Sequence, residues 1–257
     1  MVLSDAEGVR MKILNALIDS LTGKDERVRN VCAGTFWTAV TTRCTGLATT
    51  YREQDLQHSD HPCIVKDAGS LIGKTASELV EYARSEDTVS ASIGMAAINS
   101  LLEVDESKCT ERNAYDILAE KGRGRDIAVV GHFSFVPKLR DVARNVWVIE
   151  KRPRLGDFAE SDAARILPRA EVVCLTGTAF INHTIEELLS LCSGCYMVLT
   201  GPTSPLTPVL FDFGIDVICG TKVVDADEVI CHVMQAATFK QIHGHGVRLL
   251  TLSQKPL

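Results

Sequence analysis

From Asp126 onward the chain alternates short β-branched runs with helical stretches, and this rhythm restricts the fold more than any other feature. Its anchor is Asp-Ile-Ala-Val-Val-Gly-His-Phe, residues 126–133. Ile127, Val129 and Val130, bounded by a charge and by Gly131, read as a strand buried on both faces, as in a parallel sheet. Gly131 permits a sharp turn and leaves His132 at the carboxyl end of that strand, where open α/β sheets collect ligands. The spacing goes on to predict helices over 136–144, 161–167, 183–191 and 225–236, with a short one within 205–213. Strands are expected at 146–150, 172–176, 196–200, 216–219 and 247–252. Strand–helix alternation of this kind means an α/β fold with a doubly wound, mostly parallel sheet.

The first half reads differently. Apolar residues at helical spacing predict a helix over 2–21, closed by Gly23. Segments 28–32, 35–42 and 45–51, broken at Gly34 and Gly46, predict a small antiparallel meander. His58, Asp60, His61 and Cys63 follow in a polar loop, either solvated or metal-binding. A helix over 76–83 is capped by Thr75 or Ser77. Another, over 90–102, is small and apolar almost all round and should be buried. Asn99 within it needs hydrogen-bond partners, since leaving a buried amide unpaired costs about 1–3 kcal/mol. It either bonds a neighbouring loop or contacts a ligand at a domain boundary. The charged stretch 105–124, with a short helix at 115–120, is the expected linker, so the domains are placed at 1–112 and 113–257.

Composition narrows the function. With 257 residues, 46% apolar and 23% charged, the chain can bury a full core. The net charge of −6 and the lack of a basic stripe (Arg152 and Arg154 form the densest cluster near a strand end) argue against nucleic-acid binding. No apolar run approaches a membrane span, and the acidic N-terminus lacks a signal-peptide core, so a cytoplasmic protein is expected. Nine cysteines are consistent with a reducing compartment, with Cys174 and Cys219 as small buried hydrophobes. Cys192-Ser193-Gly194-Cys195 could bind zinc or exchange thiols. It lacks a second pair and follows a helix rather than opening one, which favours two free thiols flanking a glycine turn.

Several stretches resemble one known family over nearly the whole chain. They are the run from Ser90 to Asn99, Val129-Val130-Gly131-His132-Phe133, Gly201-Pro202-Thr203-Ser204-Pro205-Leu206, Pro208-Val209-Leu210-Phe211, and 220–225. The chain resembles the heavy-metal chelation domain family. The resemblance implies an N-terminal domain like the cap domain of enolases, a C-terminal Rossmann-like domain, and a cleft between them. It also implies partial similarity to Rossmann-like methyltransferases and a part in metal chelation, or in condensation or hydrolysis of flavin-, pterin- or siderophore-type compounds. The family often has a glutamate where this chain has Ser90, so a base or ligand supplied there would be missing.

The strand-end residues can be weighed on their own. Gly131-His132-Phe133 is not a G-x-G-x-x-G fingerprint, which weakens pyrophosphate binding. Glu150 lies 19 residues after Gly131, near the offset of a ribose-binding acid, or is a strand-end carboxylate beside Arg152. Thr178 follows the 172–176 strand, and Asn182-His183-Thr184 opens the next helix, with Asn182 as N-cap and its N–H groups able to hold an anion. Gly201, Pro202 and Thr203 form a stiff loop at the same sheet edge. His132 is an acid–base group or metal ligand, or else a residue that orients one. A metal would draw on His132, His183, Cys174 and Glu150, and His243-Gly244-His245 is a second pair in a turn. No G-x-S-x-G or H-E-x-x-H occurs.

The favoured expectation is a small-molecule enzyme or binder (hydrolase, condensing enzyme or transferase) for a metal-chelating or pterin-like compound. Its ligand sits in an inter-domain cleft, with His132 and Asn99 as the reacting groups. A metal or metallophore carrier without turnover, and an S-adenosylmethionine-dependent methyltransferase, are the alternatives. A divalent metal and a nucleoside-type cofactor both stay open, and so does a homo-oligomer.

Overall fold

Apolar spacing produces α1 (Lys12–Asp19), which buries Ile13, Leu14 and Leu17. The computed structural model describes residues 11–23, 26–51 and 65–257. The start of the expected 2–21 helix and the His58–Cys63 loop lie outside the described residues. The chain forms two compact units. One takes Met1–Val104, Phe180–His183 and Thr221–Arg248; the other takes Asp105–Ala179, Thr184–Gly220 and Leu249–Leu257.

In the first unit β1 (Asn30–Ala33), β2 (Trp37–Thr41) and β3 (Thr45–Thr49) form an antiparallel meander in that order, as expected. Then comes α2 (Ala76–Val80), capped by Thr75, whose hydroxyl accepts from Glu78 N–H while the Glu78 carboxylate accepts from Thr75 N–H. A 3-10 turn, Glu81–Arg84, leads to α3 (Thr88–Leu101). Small residues let α3 lie against its neighbours backbone to backbone. A Cβ on Gly46 would stand 2.0 Å from Ala96 O, and one on Gly94 would stand 1.9 Å from Ala83 N. The hydroxyls are also used: Thr42 Oγ1 bonds Ser100 Oγ at 2.9 Å, and Tyr51 N–H donates to Ser92 Oγ at 3.2 Å.

The second unit holds most of an eight-stranded sheet. Its first strand, β4 (Cys109–Thr110), pairs antiparallel with the last, so residues expected as linker form a sheet edge. A two-residue strand carries too little periodicity to be read locally. Then follow α4 (Ala114–Lys121), β5 (Asp126–Val130), α5 (Val136–Leu139), β6 (Asn145–Glu150), β7 (Phe158–Ala159), α6 (Ala163–Ile166), β8 (Val172–Thr176), α7 (Ile185–Ser190) and β9 (Tyr196–Thr200). The chain ends with β10 (Val217–Val223), α8 (Ala226–Met234), α9 (Phe239–Ile242) and β11 (Val247–Ser253). The strand order is β4-β11-β10-β9-β8-β5-β6-β7. From β10 through β7 every neighbouring pair is parallel. β11 runs against β10: Val224 N–H donates to Gly246 O and Gln254 N–H to Asp216 O. The result is the mostly parallel α/β sheet that the alternation implied. Its middle strands bury Ile127, Val129, Val172, Cys174 and Val198, with Ile117 and Leu118 of α4 and Leu139 of α5 packed in the same core.

The C-terminal segment of the first unit completes its core. Val229 and Val233 of α8 cluster with Ala39 of β2 and Leu47 of β3. Trp37 Nε1–H donates to Ala237 O at 2.9 Å, and its ring lies 5.5 Å from that of Phe239. Among the described residues no helix is long and apolar enough to cross a membrane.

Candidate ligand site at the strand ends

Strand order locates the place where the winding reverses. From β5 the chain moves to β6 and β7 on one side, then returns to lay β8 on the other. The carboxyl ends of β5 and β8 therefore diverge into loops of opposite direction, and open α/β sheets bind ligands in that crevice. Register aligns the ends: Val130 pairs with Leu175, and Thr176 with Thr200.

Glycine occupies the turn after both β5 and β9. Gly131 has φ +106° and Gly201 has φ +116°, values that side chains rarely tolerate. A Cβ on Gly131 would also stand 3.0 Å from Thr176 Cβ and 3.2 Å from the Phe133 ring, so the β5 turn closes down on the end of β8. Gly177 is packed as tightly, since a Cβ there would lie 2.6 Å from Ser204 Oγ. Thr176 and Thr178 join their hydroxyls at 3.0 Å. Gly201 N–H donates to Cys219 O, and Ser204 N–H closes the turn onto Gly201 O, with Pro202 and Thr203 between. Thr203 is buried. Ser204 Oγ is buried without a hydrogen-bond partner among the described residues.

His132 extends from this edge with its side chain 31% exposed, and its Nδ1 lies 3.4 Å from Asp157 Oδ2. The Asp157 side chain is only 5% exposed, and the same oxygen accepts from Arg154 N–H at 3.0 Å. A buried carboxylate beside one imidazole nitrogen orients the ring and favours the Nδ1–H tautomer, which leaves Nε2 to act as a base. Asp157 was missed in the sequence because it sits in a charged, irregular loop after β6; Gly156 before it, at φ +92°, was the available signal. Glu150 ends β6 and lies next to the β5 turn, because Gly131 N–H donates to Ile149 O at 3.0 Å.

The other expected positions have the following surroundings. Asn182 does not cap a helix. His183 adopts a left-handed backbone, φ +56°, Thr184 N–H turns back to Ala179 O at 3.0 Å, and α7 begins at Ile185 with Thr184 before it. That helix has six residues, with Thr184 rather than Asn182 at its N-cap. His183 Nε2 donates to Ser85 O at 2.9 Å. Asn99 Nδ2 donates to Leu47 O at 3.0 Å, which ties α3 to β3. Ser90 lies in the first turn of α3, where its N–H bonds Asp87 Oδ1 at 2.7 Å.

The expected metal set does not assemble. Cys174 is fully buried in the strand core, and burial pushes its thiol well above the usual range, away from the thiolate a metal needs. Among the described residues the group of three donor side chains close enough for one metal is Glu228, His232 and His245, without His132, His183, Cys174 or Glu150. The His243–His245 pair is split, since the His243 ring stacks on Phe239 at 6.0 Å. Cys192 and Cys195 are free thiols at a turn around Gly194, φ +78°. A hydrogen bond from Cys192 to the Cys195 sulfur lowers the Cys195 pKa and raises that of Cys192.

A doubly wound sheet with glycine-turned strand ends at its reversal point defines a Rossmann-like unit, here in one chain with a small α+β unit. The chain belongs to the DUF364 family, whose model, described as "Putative heavy-metal chelation", matches residues 113–251. A second model of the same description, DUF4213, matches residues 14–102. An uncharacterised protein of Methanocaldococcus jannaschii is 27% identical over 201 residues, 75% of each chain. The fold is shared with a DUF364-family protein of unknown function from Desulfitobacterium hafniense, at TM-score 0.83 and 23% identity, covering 95% of this chain and 98% of that one. A second such protein, from Pyrococcus horikoshii, superposes at TM-score 0.79 with 17% identity, covering 95% and 99%.

Proposed function

We propose that this chain binds a small metal-chelating or pterin-like compound at the carboxyl ends of β5 and β8, with His132 as its acid–base group. The observation that carries the reading is the sheet reversal between β5 and β8, with Gly131 turned tightly onto Thr176 at that point. Backbone brought this close, with threonine hydroxyls beside it, supports recognition of a compact polar ligand. The family description supports trying chelating compounds first.

The test is a thermal-shift screen of metal-stripped protein against pterins, flavins, catecholate and hydroxamate chelators with and without metal, NAD and S-adenosylmethionine. A ligand at a hundred times its Kd stabilises the native state by about 2.7 kcal/mol. A pterin or chelator is expected to raise Tm, with His132→Ala and Thr178→Val each weakening binding. A hit whose Kd is unchanged in both variants would remove the site from consideration. If product analysis by mass spectrometry shows the hit unaltered, the chain is a carrier without turnover.

A second reading rests on Glu150. Its place beside the Gly131 turn supports a ribose-bearing ligand such as S-adenosylmethionine. Glu150→Ala should then weaken that ligand by roughly tenfold or more, as the loss of one charged hydrogen bond implies.

A further inference from the structure

We infer that Glu228, His232 and His245 form a divalent-metal site in the first unit, of the class that takes Zn(II), Co(II), Ni(II) or Cu(II). The inference does not depend on the strand-end ligand, because none of its residues belongs to that site. Glu228 and His232 stand four apart on α8 and so share one helical face. His245 comes from the loop before β11, between Gly244 at φ +90° and Gly246 at φ +85°. That loop is tied down by the start of α8. Gly246 O accepts from Val224 N–H at 2.8 Å and Asp225 N–H at 3.2 Å, and a Cβ on Gly246 would stand 2.8 Å from Asp225 O. Asp225 in turn caps α8 by accepting from Glu228 N–H at 3.1 Å. Main-chain bonds thus hold the backbone of the His245 loop against the start of α8.

The donors converge. Glu228 Oε1 lies 3.8 Å from His245 Nδ1, and 3.6 Å from His232 Nδ1, the ring nitrogen on the other side of the imidazole from the one that would bind the ion. The two imidazole rings are 5.3 Å apart and inclined by 30°. One ligand atom from each residue lies within 4.8 Å of the others. A tetrahedral ion with bonds of about 2.0–2.1 Å needs its ligands roughly 3.3–3.4 Å apart. All three side chains are partly in solvent and can rotate to close the difference. His232 is already oriented, since its Nδ1 lies 2.8 Å from the Glu228 carbonyl oxygen and donates its proton there, which leaves the Nε2 lone pair for an ion. A salt-bridged helix face would account for the Glu228–His232 pair by itself. It would not account for a second imidazole held over the pair by a loop pinned to the helix cap. Two imidazoles and one carboxylate form a borderline donor set, better suited to zinc and its neighbours than to magnesium or calcium. Three protein ligands leave at least one coordination position for water or an external chelator.

The experiment titrates metal-stripped full-length protein with Zn(II) by calorimetry and with Co(II) by visible absorption. One ion per chain is expected, with cobalt d–d bands and no thiolate charge-transfer band. His232→Ala and His245→Ala should each weaken binding by about a hundredfold or more, beyond the 10–100-fold cost of removing a mere supporting group. Glu228→Gln should weaken it as well, while His243→Ala and the double variant Cys192→Ser/Cys195→Ser should leave it intact. Circular dichroism establishes that each variant is folded. The inference is overturned if the wild type binds neither ion, if folded His232→Ala and His245→Ala variants keep wild-type affinity, or if the cobalt spectrum carries a thiolate band lost in the cysteine variant.

Discussion

Replacing a helical glycine by alanine normally stabilises a protein, and at Gly94 the structure requires the opposite. Gly94 sits in the middle of α3, where alanine would gain about 1 kcal/mol in helix propensity. Its new methyl would stand 1.9 Å from Ala83 N, 2.5 Å from Ala83 Cα and 2.6 Å from Tyr82 C. Carbon contacts are comfortable at about 3.5–4.0 Å, so the two backbones would have to part by roughly 1.5 Å. The obstacle is main chain, which cannot rotate away as a side chain can. Overpacking of a core costs about 1–3 kcal/mol even where side chains absorb it, so the steric term should reach about 3 kcal/mol and the net loss about 2 kcal/mol. The chain has two tryptophans, Trp37 in the first unit and Trp147 in the second. In a Trp147→Phe background, Trp37 emission therefore follows unfolding of the unit that contains α3. Urea titration should show Gly94→Ala with a clearly lower midpoint and an unchanged slope. A midpoint equal to or above that of the parent would refute the close approach of α3 to Ala83.

Asp126 accepts two hydrogen bonds from Arg144, both at 2.8 Å, and one from Asn145 at 2.7 Å. Arg144, then Asn145, hold its pKa below the usual carboxylate value. A depressed folded-state pKa gives stability that is present above the unfolded value, about 3.9, and is lost as pH falls through the folded one. Asp126→Asn should lower the urea midpoint at pH 7 and lose that effect at strongly acidic pH; an equal deficit at both would exclude the ion pair as its cause. In thiol labelling at pH 8, exposed Cys44 and Cys231 should react early, with Cys195. Cys174, raised well above normal, and Cys219, pushed up to about 11, should react only on unfolding. Ser204→Ala removes a buried hydroxyl that has no partner among the described residues, so Tm should hold or rise, and a loss above about 1 kcal/mol would show an unseen bond. Thr75→Ala should destabilise by about 1 kcal/mol through loss of the α2 cap, which amide exchange at Glu78 would localise.

Local chemistry explains why so much of the fold could be read in advance. β8 and β9 span their apolar runs and the threonine that closes each, because a strand buried on both faces needs an unbroken apolar run. Gly34 and Gly46 mark the meander because both lie against other main chain. The small-residue run in α3, one of the stretches that carried the family resemblance, has a packing reason in Gly94 and Ser92. Short elements escaped: β4 and β7 have two residues each, too few for a period, and exist because a neighbouring strand offers hydrogen bonds. Asn182 failed as a cap because the left-handed backbone at His183 is set by the return to Ala179, which no cap preference encodes.

The candidate sites divide along the same line. A strand followed by glycine and histidine was enough to place a strand end and its turn at Gly131 and His132, since that depends on residues adjacent in the chain. Asp157 beside His132, and His245 against Glu228 and His232, depend on segments that the backbone brings together from well separated positions. The anchoring of Trp37 by the carbonyl of Ala237 spans 200 residues and is of the same kind. Alternation and propensity are local, so the sequence alone determined the longer strands, their alternation with helices and the turn after β5. Which side chains meet is set by strand order and by the bonds that pin each loop, and only the tertiary structure decided that.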